Sequence, residues 1–423
     1  MSVEAPNLNL GAVKSDFLNL VIERGHYYQA SDLEGLDKAA LECQKGGKPL
    51  TAYIGFDCTA PSLHVGSLTQ IMLLRRFQQT GGTPIALMGS GTTRIGDPSD
   101  KNEARPILTL EKIAQNKAGI QKVFDNYIDF SKAKMVDNIE WLENVSWLEM
   151  LATIGRHFTV NKMIALDIVK RRLDQELPIT FLEFNYMLLQ AYDFLELSRR
   201  YDCNLQMGGS DQWGNIIQGV ELCRRVDGRE VFALTQPLLM NAAGQKMGKS
   251  VSGAIWLDKD LLPVFDFWQY WRNVDDADVG KLLRLLTELP IEEVKRLESL
   301  QGAEINDAKI ILANEITKLL HGEEDANLAN AAASNQFGGD GDGAGLPEIT
   351  ISTSEFNSIA GLFVIAGLCE SNGEAKRLAK GNGIKIDDKS VADVSQNLDN
   401  ETINGGSVKL SLGKKRHIKV NFK

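Results

Sequence analysis

Hydrophobic residues in the first quarter of the chain alternate between short apolar runs and helical spacing. The run 50–56 ends in glycine and aspartate and predicts a buried strand. From Val65, apolar residues recur mostly three to four positions apart until the glycines 81–82, which predicts a helix with a glycine cap. The run 84–88 predicts a second strand, followed by a loop of small residues over 89–99. Strand, helix and strand in this order predict a parallel sheet with a right-handed crossover.

A similar alternation returns further along the chain. The segments 204–207 and 231–239 predict two more strands, and each is followed by a polar, glycine-containing loop. Helical spacing fills most of 131–200 and all of 261–335, so we expect a separate helical bundle in the latter segment. The segment 338–345 holds five glycines and two aspartates in eight residues, which predicts a flexible linker.

Composition and charge narrow the class of protein. With 43% hydrophobic and 24% charged residues the chain is typical of a globular protein, and no apolar run reaches the ~18 residues of a membrane span. Five widely spaced cysteines without C-x-x-C disfavour a disulfide framework and a structural zinc site. Residues 1–9 lack the features of a secretory signal, so we expect a cytoplasmic protein that does not bind membranes. The net charge of −10 still allows local basic patches for nucleic acid.

Two segments have chemistry suited to phosphate groups. His64, Gly66 and Ser67 stand at the predicted start of a helix, where backbone N–H groups favour anions and a glycine allows close approach. Lys246 and Lys249 lie three apart around a glycine in a polar loop, as in a mobile loop that clamps phosphates. A capped turn and a solvated basic loop are the simpler interpretations of the same residues.

Two further segments favour a polar pocket. Tyr186, Gln190 and Asp193 lie at i, i+4 and i+7 on one face of a helix that is otherwise apolar. Such a buried polar stripe must find partners, either in a structural hydrogen-bond network or in a ligand. Asp211 and Gln212 follow two glycines at a predicted strand end, where open α/β sheets bind ligands, although a tight turn would explain them equally.

Five motifs then occur in a specific order along the chain. They are Y-I-G-F-D-C-T-A-P-S-L-H-V-G-S at 53–67, G-D-P-S at 96–99, N-Y-M-L-L-Q-A-Y-D at 185–193, G-G-S-D-Q-W-G-N at 208–215 and K-M-G-K-S at 246–250. In these motifs and their order, the chain resembles bacterial tyrosyl-tRNA synthetases. The resemblance implies an α/β class I aminoacyl-tRNA synthetase with four segments. They are a Rossmann-like parallel-sheet catalytic domain (1–250), an α-helical domain for the anticodon stem of tRNA (251–337), a flexible linker (338–347) and a small α+β RNA-binding domain resembling a ribosomal protein (348–423).

The activity that the resemblance implies is ligation of L-tyrosine to tRNA(Tyr), through tyrosyl-adenylate formed from ATP with Mg²⁺. No structural metal bound by the protein is expected. A homodimer is implied by family likeness, with the apolar stretch 141–154 as a candidate interface. Ser67 departs from the family, whose first signature usually ends in a second histidine or an amide residue; serine is shorter and reaches the nucleotide only at closer range.

The resemblance also implies roles for individual residues. Tyrosine would be bound by Tyr53, Asp97, Tyr186, Gln190, Asp193 and Gln212, and Tyr53 and Asp193 would hold its phenol hydroxyl. ATP would be bound by Gly55, Asp57, Thr59, His64, Gly66, Ser67, Gly209, Asp211 and Lys249. The implied catalytic residues are His64, Lys246, Lys249 and Ser250.

The end of the chain suits RNA. Residues 362–387 resemble a small RNA-binding module shared with a ribosomal small-subunit protein, and they predict an apolar helix, a turn and a second, basic helix. The basic side chains are Lys376, Arg377 and Lys380 in that helix, with Lys414, Lys415 and Arg416 beyond it. Clustered cations on an acidic protein attract RNA locally, although a solubilising basic tail would have the same charge.

Three alternatives to this function are open. A tryptophanyl-tRNA synthetase shares the architecture, but the pair Tyr53 and Asp193 disfavours it. A small-molecule nucleotidyltransferase could use the same phosphate signature, but would not need the helical segment or the basic tail. An inactive RNA-binding relative is disfavoured because His64, Lys246 and Lys249 are all present.

Overall fold

The chain forms two compact units, one made of Met1–Leu261 and Val274–Ala308 and the other of Leu262–Asn273 and Lys309–Lys423. The computed structural model describes these residues: 13–97, 108–250, 253–338, 346–387, 389–398, 402–403, 406–413 and 416–423, without the side chains of 167–168, 249–250 and 335–338. Most of the predicted linker lies outside the described residues. The predicted boundaries of the three domains therefore stay a prediction.

The first unit is built on a sheet of strands that are parallel except at one edge. Its strands are β1 (Gln29–Ala30), β2 (Thr51–Asp57), β3 (Thr83–Gly89), β4 (Lys134–Asp137), β5 (Leu205–Gly209) and β6 (Phe232–Gln236), with a separate hairpin of β7 (Lys249–Ser250) and β8 (Gly253–Ala254). The order across the sheet is β1-β6-β5-β2-β3-β4, and only β1 runs antiparallel to its neighbour. The chain therefore changes direction across the sheet between β2 and β5, and ligands bind at such a switch point in open α/β sheets.

Both units contain helices. They are α1 (Asp16–Glu23), α2 (Leu33–Gln44), α3 (Val65–Gln79), α4 (Ser90–Thr93), α5 (Leu110–Phe124), α6 (Ile139–Leu142), α7 (Trp147–Glu149), α8 (Val160–Ile164), α9 (Asp167–Asp174), α10 (Phe181–Phe184), α11 (Tyr186–Tyr201), α12 (Trp213–Asp227), α13 (Val264–Arg272), α14 (Asp276–Leu286), α15 (Ile291–Glu298), α16 (Ile305–His321) and α17 (Glu323–Gly338). Among the described residues, none of the helices has the length and apolar character needed to cross a bilayer.

The predicted elements around the switch point are confirmed. Strands β2 and β3 are buried along almost their whole length, which explains why they read as continuous apolar runs. Helix α3 begins at Val65 and is followed by Gly81 with φ of +90°, the left-handed conformation that glycine tolerates best. One prediction was wrong in part, because the loop 89–99 contains the short helix α4. The prediction that helices fill most of 131–200 is confirmed, and this interval also includes strand β4.

The second unit contains a mixed sheet at the end of the chain. Its strands are β9 (Glu348–Ile351), β10 (Ile384–Ile386), β11 (Lys389–Ser390), β12 (Ser407–Leu412) and β13 (Arg416–Phe422), in the order β11-β10-β12-β13-β9. Helices α18 (Ile359–Ile365) and α19 (Asn372–Lys380) supply apolar side chains such as Leu362 and Phe363 to one core with Leu410 and Val420. The predicted apolar helix, turn and basic helix are therefore confirmed.

Candidate active site

A cavity of about 190 Å³ lies at the carboxyl ends of β2 and β5, at the switch point of the sheet. We call it the crevice. It is smaller than the roughly 300–1,000 Å³ of drug-sized sites, which suits a ligand the size of an amino acid. The crevice brings together many of the residues predicted for the site: Tyr53, Gly55, Asp57, Asp97, Tyr186, Gln190, Asp193, Asp211 and Gln212.

Tyr53 and Asp193 lie together in the buried part of the crevice. Tyr53 is 1% exposed, its ring packs on Phe194 with centroids 5.3 Å apart, and its hydroxyl has no hydrogen-bond partner among the described residues. Asp193 accepts a hydrogen bond from Trp141 Nε1 at 2.8 Å and one from Asn138 Nδ2 at 3.0 Å. Burial raises the pKa of Asp193 to about 7, although these two donors favour its ionised form.

Asn138 and Trp141 contact the predicted site residue Asp193, and the sequence does not reveal them. They lie just after β4, in an interval predicted to be helical, and they reach Asp193 from 55 and 52 residues away. Asn138 Nδ2 also donates to Thr92 Oγ1 at 3.1 Å, and Thr92 donates in turn to Asp57 at 2.8 Å. This network of neutral donors holds the carboxylates of Asp57 and Asp193 in fixed positions.

The polar stripe predicted on α11 lines the crevice. Tyr186 donates its hydroxyl to Asp57 Oδ2 at 3.3 Å, and Gln212 Nε2 donates to Asp97 Oδ2 at 3.0 Å. The side-chain oxygens of Gln190 and Gln206 are buried without a hydrogen-bond partner among the described residues. Buried polar atoms in native proteins are normally paired, so these oxygens can accept hydrogen bonds from a polar ligand in the crevice.

His64 caps the first turn of α3. Its Nδ1 accepts a hydrogen bond from the N–H of Gly66 at 3.0 Å, so a neutral ring carries its proton on Nε2 and can donate it. A Cβ added at Gly66 would lie 3.1 Å from the carbonyl oxygen of Met247, and one added at Gly248, where φ is +131°, would lie 2.9 Å from His64 Nδ1. The lysine loop therefore packs directly against the start of α3.

The lysine loop, residues 240–250, approaches the crevice with its first lysine. Lys246 Nζ lies 3.6 Å from Asp211 Oδ2, and Asp211 lines the crevice. Lys249 and Ser250 form β7, but their side chains lie outside the described residues. The predicted clamping of phosphates by Lys246, Lys249 and Ser250 therefore stays a prediction.

Helix α14 anchors the beginning of this loop. The N–H of Ala242 donates to Asp278 Oδ2 at 2.9 Å, and Asp278 is only 3% exposed. Lys281 Nζ donates to the carbonyl of Met240 and lies 3.1 Å from Asp278 Oδ1. The position of the lysine loop is thus coupled to a helix that does not line the crevice.

The remaining predicted nucleotide residues lie outside the crevice. Thr59 is exposed beyond the end of β2, and Ser67 is half-buried in the first turn of α3, where its N–H donates to the carbonyl of His64 at 2.8 Å. Gly209 ends β5, and a Cβ there would lie 2.6 Å from Asp211 Oδ1. These residues follow the ends of strands that also contribute to the crevice.

Of the residues predicted to bind RNA, those in α19 are exposed on one helix. They are Lys376, Arg377 and Lys380. Arg416 is exposed at the start of β13 and donates to the carbonyl of Gly367 at 2.7 Å. Lys414 and Lys415 lie outside the described residues.

Comparison with known proteins identifies similar sequences and structures. A family model for class I tRNA synthetases (W and Y) matches residues 44–338, a range that contains every residue lining the crevice. A tyrosine–tRNA ligase from Methylocella silvestris is 55% identical over 412 residues, which cover 96% of this chain and 97% of the relative. One from Beijerinckia indica is 52% identical and covers 96% of each chain. A truncated mitochondrial tyrosyl-tRNA synthetase from Aspergillus nidulans superposes with a TM-score of 0.68 at 28% identity, over 77% of this chain and 95% of that one.

Proposed function

The chain belongs to the class I tRNA synthetases of the tryptophan and tyrosine family, and we propose that it ligates L-tyrosine to tRNA(Tyr) in the crevice between β2 and β5. Its substrates are tyrosine, ATP and tRNA. The observation that carries this proposal is that Tyr53 and Asp193 line one buried pocket, in which the Tyr53 hydroxyl has no hydrogen-bond partner among the described residues. An indole has one N–H donor and no acceptor, so it would leave the Tyr53 hydroxyl unpaired, whereas a phenol hydroxyl can donate to Asp193 and accept from Tyr53.

The tyrosine hydroxyl donates to Asp193 and accepts from Tyr53. Both groups are almost completely buried, so they have no water to replace a missing hydroxyl. A site built to bond a hydroxyl rejects the analogue without it far more strongly than an apolar pocket rejects a missing methylene; tyrosyl-tRNA synthetases are the known example. At the other end of the substrate, Tyr186, Gln190 and Asp97 hold the ammonium group and Gln212 lies near the carboxylate.

In the first reaction the tyrosine carboxylate attacks the α-phosphorus of ATP, and pyrophosphate leaves. A carboxylate is ionised at neutral pH, so the enzyme needs no general base and acts by alignment and charge stabilisation. His64 donates through Nε2, and Lys246 and Lys249 neutralise charge on the departing phosphates. Asp57, Asp211 and the glycines at the strand ends face the nucleotide, and Mg²⁺ enters with ATP as part of the substrate.

The second reaction transfers the tyrosyl group to the 3′-terminal adenosine of tRNA. The exposed cations of α19, together with Lys414, Lys415 and Arg416, bind the RNA backbone. The helical segment before the predicted linker contacts the anticodon stem. Together these surfaces position the tRNA while its end reaches the crevice.

A second copy of the chain covers an exposed apolar surface of the first unit. Trp147 and Phe181 are 51% and 69% exposed and line a pocket whose other side chains are mostly apolar. Leu148, the residue after Trp147, is 77% exposed. Contiguous exposed apolar surface marks an interaction site in a globular protein. This surface overlaps the stretch 141–154 predicted as the interface, which supports a homodimer.

The decisive experiment is ATP–pyrophosphate exchange measured with single amino acids. Exchange should require tyrosine and should be negligible with phenylalanine or tryptophan at the same concentration. Exchange stimulated by tryptophan would assign the chain to the other branch of the family. Exchange without any amino acid would indicate a different nucleotidyltransferase.

A further inference from the structure

Helix α5 packs against the segment that leads from the crevice to His64. We call residues 58–64, between β2 and the first residue of α3, the β2–α3 loop. It follows Asp57, which lines the crevice, and it ends at His64, the cap of α3. Of the described residues that line the crevice, none belongs to α5, and none of the roles assigned above involves this helix.

Two residues of α5 contact carbonyl groups of this loop. Asn116 is 1% exposed, and its Nδ2 donates to the carbonyl of Cys58 at 2.8 Å. Gly119 follows three residues later and therefore lies on the same face of the helix. A Cβ added at Gly119 would lie 1.9 Å from the carbonyl oxygen of Pro61, which is far shorter than any ordinary contact. The loop thus approaches the helix backbone so closely that only glycine fits.

Asparagine and glycine are both unfavourable in the middle of a helix. Relative to alanine, glycine loses more backbone entropy, and asparagine forms competing hydrogen bonds with nearby backbone groups. The neighbours Ile113 and Ile120, which are 3% and 1% exposed, supply the apolar packing of α5. The presence of Asn116 and Gly119 is therefore explained by the loop that they contact and not by the stability of the helix.

Helix α5 is itself fixed to the sheet at two points. Lys117 Nζ lies 2.8 Å from Asp137 Oδ2 at the end of β4. The ring of Phe124, at the other end of the helix, packs on Phe56 of β2 with centroids 5.0 Å apart. Because these contacts hold the helix, a methyl group added at Gly119 would displace the loop and not the helix.

We propose that Asn116 and Gly119 are positioning residues, which fix the β2–α3 loop and thereby place His64 beside the phosphates of ATP. This inference rests on the proposed function. A carbon atom in contact with a carbonyl oxygen lies about 3.3 Å from it, so a methyl group at Gly119 would move the loop by more than ~1 Å. A displacement of about 1 Å can slow catalysis roughly 100-fold even when its cause lies far from the reacting atoms.

Two variants disturb these contacts in different ways. Gly119→Ala introduces the methyl group that the loop excludes, although alanine favours the helix itself. Asn116→Leu keeps nearly the same shape and removes the donor to Cys58. The matched controls are Ala118→Ser and Gln115→Leu, which make changes of similar size at exposed neighbouring positions of α5.

The first measurement compares the rate of adenylate formation with the affinity for tyrosine. The rate is measured before the steady state on each full-length protein at saturating tyrosine and ATP, and Kd for tyrosine is measured separately. Gly119→Ala should slow the reaction at least tenfold and Asn116→Leu about threefold to tenfold, with tyrosine affinity within twofold. The controls should match the wild type. Unchanged rates, or equal losses of rate and affinity, would overturn the proposal, because a general distortion of the fold affects both quantities.

The second measurement tests whether the effect passes through His64. In a chain that carries His64→Ala, either α5 variant should slow adenylate formation by less than twofold, because the imidazole that it would displace is already absent. If the reaction slows again by the full factor, the residues act independently and the proposal is wrong. Absence of tyrosine-dependent exchange in the wild type would contradict the proposed function, whereas a wild-type rate in both variants would contradict only the role of α5.

Discussion

At the scale of residues, the most informative group is the carboxyl of Asp193, because burying its ionised form is unfavourable. The pKa of Asp193 is raised to about 7 by burial, whereas the unfolded chain ionises it near its ordinary 3.8. Its contribution to stability is therefore present at low pH and is lost as the pH rises through 7, because the folded state then holds an unfavourable buried charge. The buried carboxylate of Asp193 is useful to the protein because a charged oxygen is the strongest hydrogen-bond acceptor for a phenol hydroxyl.

The affinity for tyrosine should follow the ionisation of Asp193. With a pKa of about 7 the carboxyl is mostly protonated at pH 6 and mostly ionised at pH 8, so affinity should fall about tenfold between pH 8 and pH 6. Calorimetry or fluorescence titration across this range measures the profile. Asp193→Asn should bind tyrosine more weakly and with little dependence on pH; parallel profiles for the two proteins would show that another group titrates.

Removing Lys246 should affect the rate more than the binding of tyrosine. Lys246→Ala leaves the tyrosine end of the crevice intact but removes a cation next to Asp211. We expect adenylate formation to slow at least tenfold in pre-steady-state measurements, with tyrosine affinity within twofold. Lys249→Ala should behave in the same way. Equal losses of rate and affinity would contradict the proposed role of the loop.

At the scale of elements, the sequence predicts the strands and helices that form continuous patterns. It finds β2, α3, β3 and β5 because their residues are buried over several consecutive positions or turns. It misses β4, which has four residues and is buried only at its end. It cannot find the contacts of Asn138 and Trp141 with Asp193, since these depend on how distant elements pack and no local spacing encodes them.

The anchor between α14 and the lysine loop should influence the first reaction. In Lys281→Met the loop loses the hydrogen bond at Met240, and in Asp278→Asn the acceptor of the Ala242 N–H loses its charge. Hydrogen bonds to charged groups contribute roughly 1.5–3 kcal/mol. We expect kcat of exchange to fall about threefold to tenfold, while KM for tyrosine stays constant.

Asp275→Asn is the matched control for this anchor, because it removes a carboxylate one turn away that caps nothing. It should leave both constants unchanged. If all three variants behaved alike, the effect would come from the charge of α14 and not from the anchor. Thermal denaturation of each variant separates a loss of folding from a displaced loop.

At the scale of the whole molecule, the end of the chain should serve tRNA and not adenylate formation. Deleting residues 346–423 removes the cations of α19 and β13 along with their sheet. Tyrosine-dependent exchange should stay within twofold, whereas tRNA charging should weaken. The deficit relative to the wild type should be largest at low salt and should shrink as salt rises, since salt screens the phosphate contacts that only the wild type makes.

A charge-reversed chain separates the loss of these cations from the loss of the module. Replacing Lys376, Arg377 and Lys380 with glutamate leaves the rest of the module in place and should weaken tRNA charging as the deletion does. The control replaces Lys385, Lys389 and Lys419, which lie in the strands, with glutamate and should charge tRNA as the wild type does. If the deletion and the glutamate variant at 376, 377 and 380 both charged tRNA as the wild type does, the module would not bind the tRNA.

The apolar surface at α7 and α10 should control the oligomeric state. Leu148→Glu with Phe181→Glu places two charges on side chains that are 77% and 69% exposed in the single chain. Sedimentation should show a dimer for the wild type and a monomer for the variant. Leu110→Glu with Leu328→Glu, at exposed leucines elsewhere, should stay dimeric; a variant at α7 and α10 that also stayed dimeric would exclude this surface.

The buried oxygens of Tyr53, Gln190 and Gln206 make the stability of the folded protein depend on a bound amino acid. Each lacks a partner among the described residues, and such an atom costs roughly 1–3 kcal/mol of folding free energy. An amino acid that forms hydrogen bonds with these oxygens stabilises the folded state and is also a reactant. When the cell lacks this amino acid, the site would be empty and the unfolded state would be populated more often. Proteases would then degrade more of the protein, so its abundance would fall together with the supply of its substrate.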